Sequence, residues 1–312
     1  MTQLTRREFA ALAAGAAVSP FAIGPSPAHA AALTAQELVD RIKAGIGVAW
    51  KPETVDGLKV GDPATVVTGI VTTAMASMAV LKQAVEAGAN VVIASQPTFY
   101  ARADARTPPA PRGPGAGPPG GPPPATPPPV PAAPPDPVFA AKNAFIDTHK
   151  LVVIRLYEHW RLREPDPQAV GLAQAMGWTN HQSGTDARRY DVPATTVAAL
   201  GKSLRVNGGL RIVGDPKTSV RRIGLLPGST ALQAALTLLP DVDAVVAGEV
   251  REWESVEYAR DVVAAGRKKA LILIGRVLSE DPGMRVCADW LQTVAPGVPV
   301  RHVAVGDLYW RP

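Results

Sequence analysis

Two stretches of the sequence repeat the same order of elements, and this repeat constrains the fold more than any other feature. Residues 64–95 and 221–249 each read as a strand, a turn of small residues, a helix and a second strand. Each second strand is an apolar run that opens onto polar residues, Ser95-Gln96 in one and Gly248-Glu249 in the other. Apolar strands alternating with helices are typical of parallel sheets covered by helices. We predict an α/β protein with two related lobes that face each other across a central cleft.

The rest of the chain continues this alternation. Thr34 with Glu37 predicts a capped helix start, residues 136–150 read as a helix, and residues 151–157 read as a strand. A third apolar strand, residues 268–275, leads into Arg276 and Glu280. We place the first lobe at residues 31–180 and the second at residues 181–312, and expect the C-terminal end of the second to pack back on the first.

Residues 107–137 interrupt the first lobe with half of the 32 prolines of the chain. Proline lacks an amide donor and has a fixed φ, so this segment cannot join a sheet or a helix. We predict a disordered, Pro-rich surface insertion.

Residues 1–30 have the composition of a signal peptide. Arg6-Arg7 precede a weakly apolar stretch, and Ala28-His29-Ala30 offer small residues at a cleavage site. The arginine pair resembles a twin-arginine signal, which predicts export to the periplasm or the extracellular space after cleavage at Ala30. The stretch is too short and too rich in alanine and glycine for a membrane span, and we expect none after cleavage.

Charge and cysteine content narrow the function classes. The net charge is +5, but Lys and Arg are scattered without a basic stripe that interleaves with aromatic residues, so we expect no nucleic-acid partner. Cys287 is the single cysteine, which excludes an intrachain disulfide, and its helical context predicts a buried side chain.

Several strings resemble the Nif-three-like proteins, also described as dinuclear-metal-centre hexameric proteins or GTP cyclohydrolase 1 type 2 homologues. They are "TGIVTT", "LKQAVEAGANVVIASQPTFY", "LVVIRLYEHW", "VVAGEVREWESVEYARD" and "ALILIGRVLSEDPGM", and the resemblance covers most of the chain outside the Pro-rich insertion. It implies two-lobed subunits in a toroidal homo-hexamer. It also implies two divalent ions (Zn, Fe or Mn) per subunit, bound between the lobes by His and carboxylates.

The sequence departs from the family pattern where the resemblance places metal ligands. Ser95 stands at a ligand-His position, and Gln96 stands at an acidic or second His position. Tyr157 and Arg161 also stand at ligand positions, with Glu158 and His159 between them, and Arg276 replaces a His. Glu280 alone matches. Glu249, which follows another strand, is interpreted either as lining the same cleft or as capping the next helix.

Elementary coordination chemistry points the same way. A transition-metal site needs several converging imidazole, thiolate or carboxylate donors. An arginine is a permanent cation without a lone pair to donate, so two arginines in the site would repel a metal. We therefore expect no bound metal, and a hydrogen-bonded ion pair between Glu280 and Arg276 or Arg161 in its place.

Three functions remain open. The first is a metal-free scaffold or small-molecule binding protein. The second is a divalent-metal hydrolase with an altered ligand set of Glu280, Glu158, His159 and Glu249, in which the metal would activate water. The third is a binder of small phosphates or carboxylates that uses Arg161 and Arg276. The sequence identifies no catalytic residue and no substrate.

Overall fold

The computed structural model describes residues 32–109, 136–204 and 209–310. The predicted signal peptide therefore lies outside the described residues, as does most of the predicted Pro-rich insertion. The described residues from Leu33 onward form one compact unit. None of the described helices is both long enough and apolar enough to cross a membrane.

Strands and helices alternate along most of the chain. In chain order they are α1 Ala35–Gly45, β1 Gly57–Val60, β2 Ile70–Thr73, α2 Met78–Glu86, β3 Val91–Ala94, α3 Pro137–Thr148, β4 Val152–Arg155, α4 Glu158–Arg161, α5 Pro167–Ala175, β5 Arg189–Thr196, α6 Val197–Ser203, β6 Arg211–Val213, β7 Ser219–Ser229, α7 Leu232–Leu238, β8 Ala244–Glu249, α8 Glu257–Ala264, β9 Ala270–Leu273, α9 Arg276–Val294 and β10 Val300–His302.

The strands form two five-stranded sheets, which confirms the predicted fold class. The first sheet has the order β1-β4-β3-β2-β10, with β1 antiparallel to β4 and the other pairs parallel. The second has the order β5-β7-β8-β9-β6, with a parallel centre and an antiparallel strand at each edge. Both repeats thus deliver the carboxyl ends of parallel strands, where α/β proteins hold their ligands.

Local signals in the sequence set several helix ends. Thr34 and Glu37 form the predicted capping box at α1, in which each side chain meets the backbone of the other residue. Asp136 caps α3, and Pro137 takes the first helical position, where its missing amide hydrogen costs nothing. The predicted insertion therefore ends at Asp136, one residue earlier than the sequence suggested.

Helix α9 connects the two sheets. Its Met284, Cys287 and Leu291 are fully buried in the core of the first sheet, as predicted for Cys287. Near its start, the Ser279 hydroxyl accepts a hydrogen bond of 2.9 Å from the Gly228 amide, at the end of β7. The same helix therefore anchors strand ends of both halves of the molecule.

The halves exchange elements at both ends. Leu172 and Ala173 of α5 pack in the core of the second sheet, although they precede residue 180. The C-terminal strand β10 pairs with β2 of the first sheet. The division of the chain into lobes at residue 180 stays a prediction.

Candidate functional site

The ends of β3 and β9 bring three of the predicted site residues into contact. Ser95 and Gln96 follow β3, and Glu280 lies in the second turn of α9, which follows β9. The Gln96 Nε2 atom donates a hydrogen bond of 2.5 Å to Glu280 Oε2, and Ser95 Oγ lies 3.4 Å from the same oxygen. Ser95 and Glu280 are fully buried, and Gln96 is nearly so.

The Glu280 carboxylate is paired with Arg276 without a hydrogen bond between them. Arg276 Nε lies 3.6 Å from Glu280 Oε1, one helical turn away. Within the described residues, neither of these two atoms has a hydrogen-bond partner. The ion pair expected from the sequence is therefore present, but the hydrogen bonds to the carboxylate come from the neutral side chains instead. Burial raises the pKa of Glu280, and Arg276, the Gln96 hydrogen bond and Arg161 oppose this shift.

Arg161 lies between the buried Glu280 carboxylate and the partly exposed carboxylate of Asp166. Its Nη2 atom is 3.8 Å from Asp166 Oδ2, and its charge also acts on Glu280. Burial raises the pKa of Asp166, and Arg161 opposes this rise. Gly228 makes the approach possible, because a Cβ atom there would lie 2.5 Å from Glu280 Oε1 and 3.1 Å from Arg161 Nη1. Arg161 and Arg276 thus compensate Glu280 and Asp166.

Glu158 points to a different part of the fold. Its Oε2 atom accepts hydrogen bonds from the Thr54 hydroxyl at 2.8 Å and the Val55 amide at 3.3 Å, and its Oε1 atom pairs with Arg102 at 3.1 Å. The altered ligand set that includes Glu158 is therefore not brought together by the structure. Tyr157 precedes it at the start of α4, with its ring 5.9 Å from the Arg161 guanidinium.

His159 is a structural residue with both ring nitrogens in use. Nε2 accepts a hydrogen bond of 2.9 Å from the Lys51 amide, so the proton resides on Nδ1, which lies 2.8 Å from Asp56 Oδ2. The fully buried ring stacks on Trp50, with centroids 3.9 Å apart. Both ring nitrogens are engaged in this arrangement, which leaves no lone pair for a metal.

Asp56 is the residue behind this arrangement, and sequence reasoning missed it. Its Oδ1 atom accepts hydrogen bonds from the amides of Tyr157 and Glu158, and Oδ2 accepts from the amide of His159. Asp56 therefore caps α4 from a distant part of the chain, a contact that no local capping pattern signals.

A cavity of about 700 Å³ opens beside the Gln96–Glu280 contact. Gln96, Glu249 and Arg276 line this cavity, so Glu249 faces the cleft. Glu249 does not cap the following helical segment 252–256, because Arg251 occupies the position before that segment. The cavity also includes parts of the chain that sequence reasoning did not select. These are Met75 after β2, Tyr100, Arg211, the neighbours of Arg276 at residues 273–275 and 277–278, and the C-terminal segment 306–309.

Lys142 supports the segment that carries Tyr100. This lysine was not selected from the sequence. This buried ammonium group donates a hydrogen bond of 2.5 Å to the Thr98 carbonyl and lies 5.0 Å from the centre of the Tyr100 ring. Burial lowers the pKa of Lys142 to about 8, and Asp104 opposes this shift. A lysine in an amphipathic helix gives no sequence signal of such burial.

The donor set does not fit a dinuclear metal centre. Within residues 32–109, 136–204 and 209–310, no three His, Cys, Asp or Glu side chains gather as a metal site would require. Around Glu280 the neighbours are a hydroxyl, an amide and two guanidinium groups. The residues that the resemblance aligns with metal ligands therefore form an ion-paired polar cluster.

Solved structures with the same architecture were found by comparison of the fold. The hypothetical protein SA1388 from Staphylococcus aureus aligns with a TM-score of 0.63 and 15% identity over 89% of this chain and 99% of its own. A Bacillus cereus protein related to NIF3 aligns with a TM-score of 0.61 and 11% identity, over 90% of this chain and 100% of its own. The chain has the NIF3-like fold.

This shared fold confirms the architecture that the motif resemblance implied. No protein-family model matches the sequence, and no curated protein matches it. At identities of 11% and 15% the comparison establishes the architecture alone, so the function is argued from this chain's own site.

Proposed function

We propose that this NIF3-like protein binds a small organic molecule in the cleft between its two sheets, without a dinuclear metal centre. The observation that carries the proposal is the environment of Glu280. Its carboxylate accepts a hydrogen bond from Gln96, lies 3.4 Å from the Ser95 hydroxyl and forms an ion pair with Arg276, so its charge is already compensated. A cation added there would have to displace an arginine that cannot lose its charge.

The cavity favours small-molecule binding over a purely structural role. Its volume of about 700 Å³ lies within the range of ligand pockets, roughly 300–1,000 Å³. Its walls come from strand ends of both sheets, which is where this class of fold holds ligands.

The two alternatives have less support in the geometry. A hydrolase with an altered ligand set would need Glu158 and His159, and both are engaged with residues 51–56. An anion clamp formed by two arginines would need both in the cavity, but Arg276 lines it whereas Arg161 pairs with Asp166. Of these two arginines, Arg276 is the one placed to meet a ligand.

Elemental analysis tests the metal-free part of the proposal. The purified chain is incubated with zinc, manganese or ferrous ions, desalted and analysed by mass spectrometry, and we expect far less than one ion per chain. The variant with Ser95→His, Gln96→Glu, Tyr157→His, Arg161→His and Arg276→His restores the donors implied by the resemblance and should retain the ion. Tight, stoichiometric metal in the natural chain would overturn the proposal and favour the hydrolase.

A further inference from the structure

We propose that the cavity takes a small molecule with one carboxylate-type anionic group and an aromatic body, and that Arg276 with the first turn of α9 holds the anion. The inference rests on the proposed function, because it names the class of ligand for the same cleft. It comes from the distribution of charge, amide donors and rings along the cavity wall.

Arg276 supplies the anionic subsite. Its side chain is 32% exposed and lines the cavity, while its Nε atom is turned inward to Glu280. Within the described part of the chain, the only recorded polar contact of this guanidinium is that 3.6 Å ion pair, and the buried Glu280 Oε1 is equally without a hydrogen bond. The outer Nη groups are therefore available to a planar carboxylate, which a guanidinium binds with two parallel hydrogen bonds.

The start of α9 adds donors at the same place. Residues 275–278 line the cavity, and Gly275, which precedes the helix, has no side chain to cap it. The first amides of a helix have no partner within the helix, and the helix dipole favours a negative charge there. The acidic residues of the wall, Glu249 and Asp307, are exposed to solvent, which screens their repulsion of an anion.

The apolar part of the wall suits a ring. Tyr100 is 60% exposed and is held at a φ of 63°, a left-handed conformation that is unfavourable for a tyrosine. The Lys142 ammonium and the edge of Phe139 fix its ring, with centroid distances of 5.0 and 5.3 Å. Tyr309 contributes a second exposed ring. Exposed rings in a cavity wall offer stacking contacts to an aromatic ligand.

Three probes separate the two parts of the inference. Isothermal titration calorimetry on the full chain compares 2-naphthoate with its neutral amide, 2-naphthamide, and with octanoate, an aliphatic carboxylate. We expect the naphthoate to bind at least about tenfold more tightly than its amide, because the guanidinium–carboxylate pair is charge-assisted. It should also bind severalfold more tightly than octanoate, because ring stacking adds to the binding of the same carboxylate. Equal affinity for the amide refutes the anionic subsite, and equal affinity for octanoate refutes the aromatic one.

A pair of matched variants locates the anionic subsite. The double variant Arg276→Gln/Glu280→Gln removes the cation without leaving its buried partner charged, and should bind the naphthoate no better than the amide. The control is Arg260→Gln/Glu257→Gln, which removes an exposed ion pair of 3.1 Å on α8 and should leave the preference unchanged. If the Arg276→Gln/Glu280→Gln variant still preferred the naphthoate over its amide, the anion would bind elsewhere and the inference would be overturned.

Tyr100→Leu tests the ring in the same assay. This substitution should lower the affinity for naphthoate to about that for octanoate. Trp253→Leu, at an exposed tryptophan outside the cavity, should leave the affinity for naphthoate unchanged. Failure of all three probes to bind would refute the proposed binding function together with the inference. Equal binding of all three would leave the binding function standing and show that the class of ligand is wrong.

Discussion

The Gln96 side chain donates a hydrogen bond of 2.5 Å to the Glu280 carboxylate, across 184 positions of sequence. This contact joins the end of β3 in the first sheet to the helix that follows β9 in the second. Both side chains are buried, so the carboxylate is separated from water and depends on its protein neighbours. Several measurable properties of the protein follow from this cluster and its surroundings.

Replacement of Glu280 should change how stability depends on pH. Because burial raises its pKa, the folded state binds this proton more tightly than the unfolded state, whose value is about 4.3. The protonated Glu280 carboxyl therefore contributes to the stability of the fold at low pH, and this contribution is lost as the pH rises through the folded pKa. The melting temperature of Glu280→Gln relative to the natural protein should therefore rise with pH, from about pH 4 upward.

Glu257→Gln, at an exposed position of α8, is the control for this series. The difference between its melting temperature and that of the natural protein should stay nearly constant across the same pH range. Asp166 titrates in every variant, so its own raised pKa cancels in the comparison. A flat difference for Glu280→Gln would show that its carboxyl is not perturbed by burial.

Gly228→Ala should destabilise the protein by more than its backbone conformation alone explains. A methyl group there would lie 2.5 Å from Glu280 Oε1, and the residue has a φ of 80°. Gly266 has the same φ with open space around it, so Gly266→Ala measures the conformational cost alone. We expect Gly228→Ala to cost about 1–3 kcal/mol more in urea unfolding. Equal losses of unfolding free energy in the two variants would mean that the Glu280 side chain moves away from the added methyl group without an energetic cost.

His159→Ala should destabilise the fold without any dependence on metal. The substitution removes a stacked ring, one of the hydrogen bonds to the Asp56 carboxylate and the acceptor of the Lys51 amide. We expect a loss on the order of 3 kcal/mol, measured by urea unfolding in the presence and absence of a chelator. His149→Ala, at an exposed helix end, should cost less than about 0.5 kcal/mol. A loss that disappears with the chelator would restore His159 as a ligand.

Lys142→Met should reveal the titration of a buried lysine. The folded pKa is about 8 and the unfolded value about 10.4, so between these values the unfolded state binds more protons. Stability of the natural protein relative to the variant should therefore increase as the pH rises through this window. Thermal unfolding from about pH 7 to about pH 10 measures the difference, with the exposed Lys82→Met as the flat control. No change with pH would refute the lowered pKa.

Local patterns determined much of this structure. Apolar runs and helical periodicity placed β3, β4, β8 and β9, and the side chains of Thr34 and Glu37 predicted the start of α1. These features depend on contacts within a few residues, which a sequence displays directly. The group of Ser95, Gln96 and Glu280 was selected by the family resemblance together with the polar residues that follow buried strands.

The roles of other residues were decided by tertiary contacts alone. His159 and Glu158 lie beside Arg161 in the sequence, yet they turn to the loop at residues 51–56, about a hundred positions away. Asp166 and Gly228 lie at the site, and Asp56 caps α4, although no local pattern predicted these roles. The C-terminal segment 306–309 became part of the cavity wall. A buried charge pairs with a partner that the packing brings close to it, because an unpaired buried charge costs roughly 3–5 kcal/mol. That choice depends on the three-dimensional arrangement of distant segments, which no short stretch of sequence contains.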